Sequence, residues 1–419
     1  MCLTLPAKVL SVSGVSAKLE VSGREKEVKM LTPEDLQIGD WVLFTNDFLL
    51  KKISASEAEE IFALLKAYPL AEPSQNQELK NILAKAKSDK LQQADIEYLL
   101  TLKSEADLNE LYSEANITRK TSIKDHICVH GLIEFSNYCA SNCQYCGIRC
   151  GNQAVKRYRM TSEEIIEAVR EAVEDKGYKI LVLQSGEDYT YSDADLISLV
   201  TEIKKRFRAF LYLSIGGRSL EVYQQLKKAG ANGVLIRYEE MNDRLYTDLH
   251  QGEDGADRRA LIDGCLKLGY TIATGFIAGL PKQSVTDLAV DILTLKRFNA
   301  FMPSFGPLVP SKNTPLVDEI ILPEEMMLKI IATIRLVLPK ARIPVTTAME
   351  TLYGEQFRHK AFMAGANAIM LNLTPEKYRA DYEIYENKFY DQEKKMEKWA
   401  LFKGDLSYEM LEEELKVKI

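Results

Sequence analysis

Between residues 131 and 375, eight short apolar runs alternate with amphipathic stretches, and this repeat constrains the fold more than any other feature of the chain. The runs fall at 132–135, 180–184, 210–215, 234–237, 271–278, 300–305, 345–348 and 368–373, with helical periodicity between them at 162–175, 220–229, 284–297 and 323–338. Eight strand-then-helix units in about 245 residues predict an α/β chain folded as a TIM-type (βα)8 barrel, whose functional groups sit at the C-terminal ends of the strands.

The chain ahead of the barrel reads differently. Short runs at 7–12, 17–21, 25–30 and 41–44, broken by turns, predict a small all-β (OB-like) barrel. A helix follows it from Ser56, where Ser56-x-x-Glu59 has capping-box spacing. Pro69 and Pro73 mark a linker. The expected organisation is a β-barrel domain over 1–70, a helical linker and barrel-capping segment over 71–130, the (βα)8 barrel over 131–385, and a C-terminal cap or tail over 386–419.

Composition excludes several classes. An apolar fraction of 46% and a charged fraction of 27% are ordinary for a soluble globular protein. With 54 Lys+Arg against 61 Asp+Glu, the net charge of −7 gives no support to a nucleic-acid partner. No run reaches the roughly 20 apolar residues of a membrane span, and the N-terminus lacks the basic start of a signal peptide, so a cytoplasmic location is expected. Of the 7 cysteines, Cys139, Cys143, Cys146 and Cys150 crowd into one loop. That clustering points to metal chemistry in a reducing compartment rather than to disulfides.

Cys139, Cys143 and Cys146 follow the first predicted barrel strand in a C-x3-C-x2-C pattern, with Tyr145 just before the third. Three thiolates hold three irons of a 4Fe-4S cubane and leave the fourth iron open for chemistry. A tetrahedral structural zinc is the alternative, but it needs a fourth ligand, and the candidates are Cys150 and distant histidines.

The spacing and flanks of this triplet resemble the radical S-adenosylmethionine superfamily. The resemblance implies that the open iron is chelated by the methionine moiety of S-adenosylmethionine, whose reductive cleavage gives a 5′-deoxyadenosyl radical, and that Tyr145 lies beside the adenine. Gln184, Ser185, Gly186 and Glu187, at the end of the second predicted strand, resemble the superfamily's Gly-Gly-Glu segment, whose carbonyls bind the methionine ammonium. Longer stretches resemble the HydE family of hydrogenase maturases over roughly 75–385: Glu134-Phe-Ser-Asn-Tyr-Cys139, Cys146-Gly-Ile-Arg149, Arg157-Tyr-Arg-Met-Thr161, Leu183-Gln-Ser-Gly-Glu-Asp188, Gly279-Leu-Pro-Lys-Gln283, Thr346-Thr-Ala-Met349 and Leu373-Thr-Pro375.

That resemblance implies a small-molecule or iron-complex substrate, iron-bound or cysteine-like, an electron donor such as flavodoxin or ferredoxin, and other hydrogenase maturation proteins as partners. It places Arg237, Glu239 and Arg258 at the cofactor. It places Thr346, Thr347 and Met349 on the interior cavity, with Tyr378, Tyr382 and Tyr385 as a tyrosine cluster nearby. Arg259 adjoins Arg258, so spacing leaves the choice between them open. Gly217 stands where the family leads us to expect an acidic residue, and no cysteine follows Cys265, so a second cluster is not expected. Two other readings are a biotin synthase or methylornithine synthase relative acting on an amino-acid-like molecule, and a non-catalytic iron carbonyl/cyanide metallochaperone.

Residues 1–70 carry a separate resemblance. Met1-Cys-Leu-Thr-Leu-Pro-Ala-Lys-Val9, Gly39-Asp-Trp-Val-Leu43 and Lys52-Ile53 resemble the HypC/HupF chaperones, in which the cysteine after the initiator Met binds iron together with a histidine. The resemblance makes Cys2 a metal ligand, but Thr45 occupies the histidine position. A hydroxyl is a poorer ligand than imidazole for such iron. In full-length protein whose three barrel cysteines are replaced by Ala, Thr45→His should tighten ferrous binding by about tenfold or more, a scale that even outer partners of a ligand command. Cys2→Ala should abolish it. Iron titration showing no change in either variant removes the metal role from this domain.

Overall fold

The computed structural model describes residues 5–21, 24–30, 36–45, 48–67, 74–123 and 127–388. The chain divides into two compact units, Met1–Ser74 and Gln75–Ile419. Cys2 and the 389–419 part of the expected cap lie outside the described residues, as does the side chain of Thr45.

In the first unit, β1 (Leu5–Ser13), β2 (Ser16–Val21), β3 (Arg24–Met30), β4 (Trp41–Thr45) and β5 (Phe48–Ile53) close into a barrel in the order β1-β2-β3-β5-β4. Alternation builds its core: Ala7 and Val9 on β1, Ala17 and Leu19 on β2, Val28 on β3, Val42 and Phe44 on β4 all point inward. The sequence reading stops at four strands. The fifth, β5, buries only Leu49 and Ile53 and faces Lys51 and Lys52 outward, so its apolar signal is thin. The capping box also falls two residues earlier than expected, at Ser54 and Glu57, where each side chain bonds the other's backbone N–H at 3.1 and 2.7 Å.

The second unit opens with three helices, Gln77–Lys87, Gln93–Thr101 and Glu105–Ile123. The last two pack on the later helices Val285–Arg297 and Glu324–Val337, on the outside of the sheet. Next come β6 (Cys128–Ser136), β7 (Ile180–Ser185), β8 (Phe210–Ser214), β9 (Gly233–Leu235), β10 (Thr271–Thr274), β11 (Ile277–Ala278), β12 (Met302–Pro303), β13 (Gly306–Pro307), β14 (Pro344–Val345) and β15 (Ala368–Asn372). Eight of these form one parallel sheet in the order β12-β10-β9-β8-β7-β6-β15-β14. Its two edges are joined by a backbone hydrogen bond from Arg342 N to Phe301 O at 2.7 Å. The sheet is thus a nearly closed barrel, and each expected strand has its counterpart.

Two local differences bear on the site. The expected strand 271–278 breaks after Thr274, and Ile277–Ala278 pairs instead with Gly306–Pro307. The expected strand 345–348 ends at Val345, and Thr347–Tyr353 is a helix entered at Thr346. Inside the barrel, Cys128, Leu132, Ile180, Val182, Phe210, Tyr212, Leu235, Ala273, Met302 and Ala368 make an apolar plug. Registers place Leu132 beside Val182 and Val182 beside Tyr212, and two residues further along the strands Glu134 lies beside Gln184 and Gln184 beside Ser214. Side chains of one face recur every second residue, so a polar layer sits directly on the plug at the C-terminal end of the strands.

Candidate active site

A cavity of about 310 Å³ opens on that polar layer. Cys139, Cys143 and Cys146 all line it. They sit on a loop that leaves the end of β6 and is held on both flanks by backbone hydrogen bonds: Ala140 N donates to Glu187 O (2.9 Å), Gln144 N to Leu249 O (3.0 Å) and Gly147 N to Ile384 O (2.7 Å). The Arg157 guanidinium gathers the carbonyls of Asn137, Ile148, Arg149 and Asn152, closing the loop on itself. Glu187 N also donates to Cys139 Sγ at 3.4 Å.

The donor set fits a cluster. Cys150 is exposed and lies off the cavity. Among the described residues, no three His, Cys, Asp or Glu side chains converge as a single metal ion requires. Burial pushes the Cys139 thiol up, lifts Cys143 well up with Cys146 beside it, and raises Cys146 to about 12. The bare thiols are therefore protonated at neutral pH, and metal loading must release those protons.

Gly186 occupies a position no other residue fits. A Cβ there would stand 2.2 Å from Tyr138 O and 2.8 Å from Cys139 Cβ. Its close approach is to the cysteine loop itself. Gly147 is equally confined, since its Cβ would meet Glu383 O at 2.3 Å.

The other cofactor candidates gather on the same wall. Arg258 Nη2 donates to Glu187 Oε1 (3.1 Å) and Glu253 Oε2 (2.9 Å), and its Nε to Tyr246 Oη (3.1 Å). Arg259 turns away to Asp243 at 2.6 Å, so Arg258 is the arginine that reaches the cavity. Arg237 Nη2 bonds Phe276 O and lies 3.2 Å from Glu239 Oε2. Among the described residues, Arg237 Nε and, its ion pair aside, Glu239 Oε2 nonetheless stay buried without a hydrogen bond, polar capacity suited to a bound polar ligand. Glu239 also holds φ at +64°, a left-handed conformation costing about 1–2 kcal/mol for a non-glycine residue. Its N–H donates to Gly275 O and its carbonyl accepts from Ile277, which fixes that turn. Tyr145 Oη sits 2.9 Å from His250 Nε2.

On the opposite side, Thr346 Oγ1 is buried without a hydrogen-bond partner among the described residues, Thr347 Oγ1 bonds Tyr385 Oη at 2.7 Å, and Gln184 Nε2 donates to Tyr382 Oη at 3.3 Å. Thr346, Thr347, Tyr382 and Tyr385 line the cavity. Met349 does not: it is fully buried in the core behind the wall. Tyr378 also lies off the cavity, stacked on Tyr158 at 4.8 Å with its hydroxyl on Glu164. The sequence reading missed His250, the Arg157 clamp, and the pair Glu134–Lys388. Glu134 was legible as the one acid at an inward position of an apolar strand.

Residues 133–293 match the Radical SAM superfamily, 299–398 the Biotin and Thiamin Synthesis associated domain, and 1–65 the HupF/HypC family. The barrel is thus that of a radical S-adenosylmethionine enzyme, with a HupF/HypC-like module ahead of it. The chain is 40% identical over 278 residues to the [FeFe] hydrogenase maturase subunit HydE of Thermotoga maritima, covering 66% of this chain and 79% of that protein. It belongs to the HydE family. It is also 29% identical over 290 residues to the 3-methylornithine synthase of Methanosarcina barkeri, covering 67% and 79% of the two chains. A crystal structure of methylornithine synthase has the same fold, with a TM-score of 0.70 at 23% identity over 80% of this chain and 99% of that one.

Gly186→Ala should drive a methyl group into the Tyr138 carbonyl and displace the cysteine loop. Iron and sulfide content after anaerobic reconstitution should fall to less than about half of wild type while the fold survives. Full cluster content in that variant means the loop accommodates the methyl group and the clamp is looser than its geometry.

Proposed function

We propose that this protein is a hydrogenase maturase that cleaves S-adenosylmethionine reductively and acts on a small iron-bound or cysteine-like substrate inside the barrel. The observation that carries the reading is the convergence on one cavity of three half-buried thiols, two arginine–carboxylate pairs and a hydroxyl-bearing wall. The 40% identity to a protein named as a hydrogenase maturase supports it. The reductant is a carrier of the flavodoxin or ferredoxin kind.

Cys139, Cys143 and Cys146 hold the 4Fe-4S cluster, which when bound supplies one electron to the sulfonium of S-adenosylmethionine. Around it, the chain binds and orients. Arg237 and Arg258 offer planar guanidinium forks suited to the methionine carboxylate, and Glu239 supplies an acceptor for cofactor hydroxyls. Gln184, Ser185, Gly186 and Glu187 present their backbone at the end of β7, with Ser185 Oγ donating to Gly186 O at 2.6 Å. Tyr145 and His250 border the adenine. Thr346, Thr347, Tyr382 and Tyr385 position the substrate by hydroxyl contacts, while the apolar plug and Leu235, Ile277 and Val309 keep bulk water out. Cys2 serves as a terminal iron ligand in the first domain.

The test is anaerobic reconstitution, reduction with dithionite, and chromatography for 5′-deoxyadenosine. Wild type should carry about four irons per chain, one cluster on its single triplet, and form the nucleoside. Replacing Cys139, Cys143 and Cys146 together by Ala should remove the cluster and its sulfide and reduce nucleoside formation to background. Nucleoside formation by that variant would place the chemistry elsewhere.

A further inference from the structure

Two charged side chains on the cavity wall have no role in the reading above. Glu134 projects from β6 into the polar layer, and Lys388 reaches it from the far end of the described chain. The two form an ion pair with side chains 0% and 2% exposed. Asn372 Nδ2 donates to the other carboxylate oxygen of Glu134 at 2.8 Å. Lys388 arrives on a segment strapped over the site: Asp381 O accepts from Asn137, Ile384 O from Gly147, and Tyr385 bonds Thr347.

A buried ion pair is a poor way to gain stability, because desolvation of both charges largely offsets their attraction. This one also faces the cavity, which both residues line. Its ammonium has three hydrogens but, among the described residues, two hydrogen-bond acceptors, Glu134 Oε1 and, at a long 3.5 Å, the carbonyl of Tyr382, whose ring centroid lies 5.0 Å from the nitrogen. Donor capacity is left over. Arg237 and Arg258 belong to the cofactor wall, and Lys388 is the one lysine on the cavity among the described residues. Beside it the floor is apolar, formed by Leu132, Leu235 and Met370.

We propose that Lys388, neutralised by Glu134, is a specificity-determining residue that receives the carboxylate of a short-chain substrate whose apolar part rests on Leu132, Leu235 and Met370. Glu134 is the positioning partner: it keeps the site neutral overall and aims the ammonium. The proposal rests on this cavity being the substrate site of the maturase reading, and it deepens that reading by naming the group recognised.

The test uses cluster-loaded, full-length protein and two probes of like size, butyrate and its uncharged counterpart butyramide, titrated by ligand-observed NMR. Wild type should bind butyrate about tenfold more tightly, the discrimination expected of one charge-assisted hydrogen bond. In Glu134→Leu/Lys388→Met, which removes both charges and leaves neither stranded, the preference should fall below about twofold with butyramide affinity unchanged. Glu134→Gln/Lys388→Gln, the closer polar replacement, should lose the preference in the same way. Equal binding of the two probes by wild type, or a preference that survives in either folded double variant, overturns the assignment. Cleavage of S-adenosylmethionine by the same wild-type preparation reads the underlying function separately: cleavage without probe discrimination removes only the carboxylate site.

Discussion

The architecture of the site depends on one constraint: the backbone of the cysteine loop must be held rigidly at the open end of the barrel. A loop cannot present three thiols at fixed spacing by side-chain packing alone, because its own peptide groups need partners. Here those partners come from both directions along the chain. The Gly186–Glu187 turn after β7 receives the Ala140 N–H, and the 381–388 segment receives that of Gly147. Arg157 ties the carbonyls between them. The closeness of these contacts leaves no room for a side chain at Gly147 or Gly186. The glycine in the Ser-Gly-Glu turn is therefore explained first by packing against the cysteine strand, and only through that by the cofactor.

The same rigidity organises electrostatics. Glu187 turns from the loop contact to meet Arg258, Glu239 is locked in a left-handed turn facing Arg237, and each arginine is matched to a carboxylate before any ligand arrives. Preformed pairs of this kind spare the ligand the cost of ordering long side chains. The floor follows a similar logic, with Glu134 and Lys388 neutralising each other on top of an apolar plug.

Much of this was legible in the sequence, and the exceptions have physical reasons. The barrel strands are short runs with strong apolar signal, so their order and number could be read. The stretch after Val345 misled because Thr346 and Thr347 are β-branched, yet Thr346 begins a helix whose turn brings its hydroxyl to the cavity. That same turn carries Met349 into the core. In the first unit, β5 escaped because barrel closure needs only two buried residues from it. The pairing of Glu134 with Lys388 spans 254 residues, and no local pattern links them. The choice of Arg258 over Arg259 depends on which side of one helix faces Glu187, which spacing alone does not settle for adjacent residues.

The central claim is that the three-thiol loop leaves one iron open to S-adenosylmethionine. Electron–nuclear double resonance on the reduced, cluster-loaded protein, with cofactor labelled with nitrogen-15 and carbon-13 in its methionine amino and carboxylate groups, tests this most directly. The account predicts hyperfine coupling from both labels to the cluster spin. A 4Fe-4S signal that shows neither coupling and does not change when the cofactor is added would contradict it.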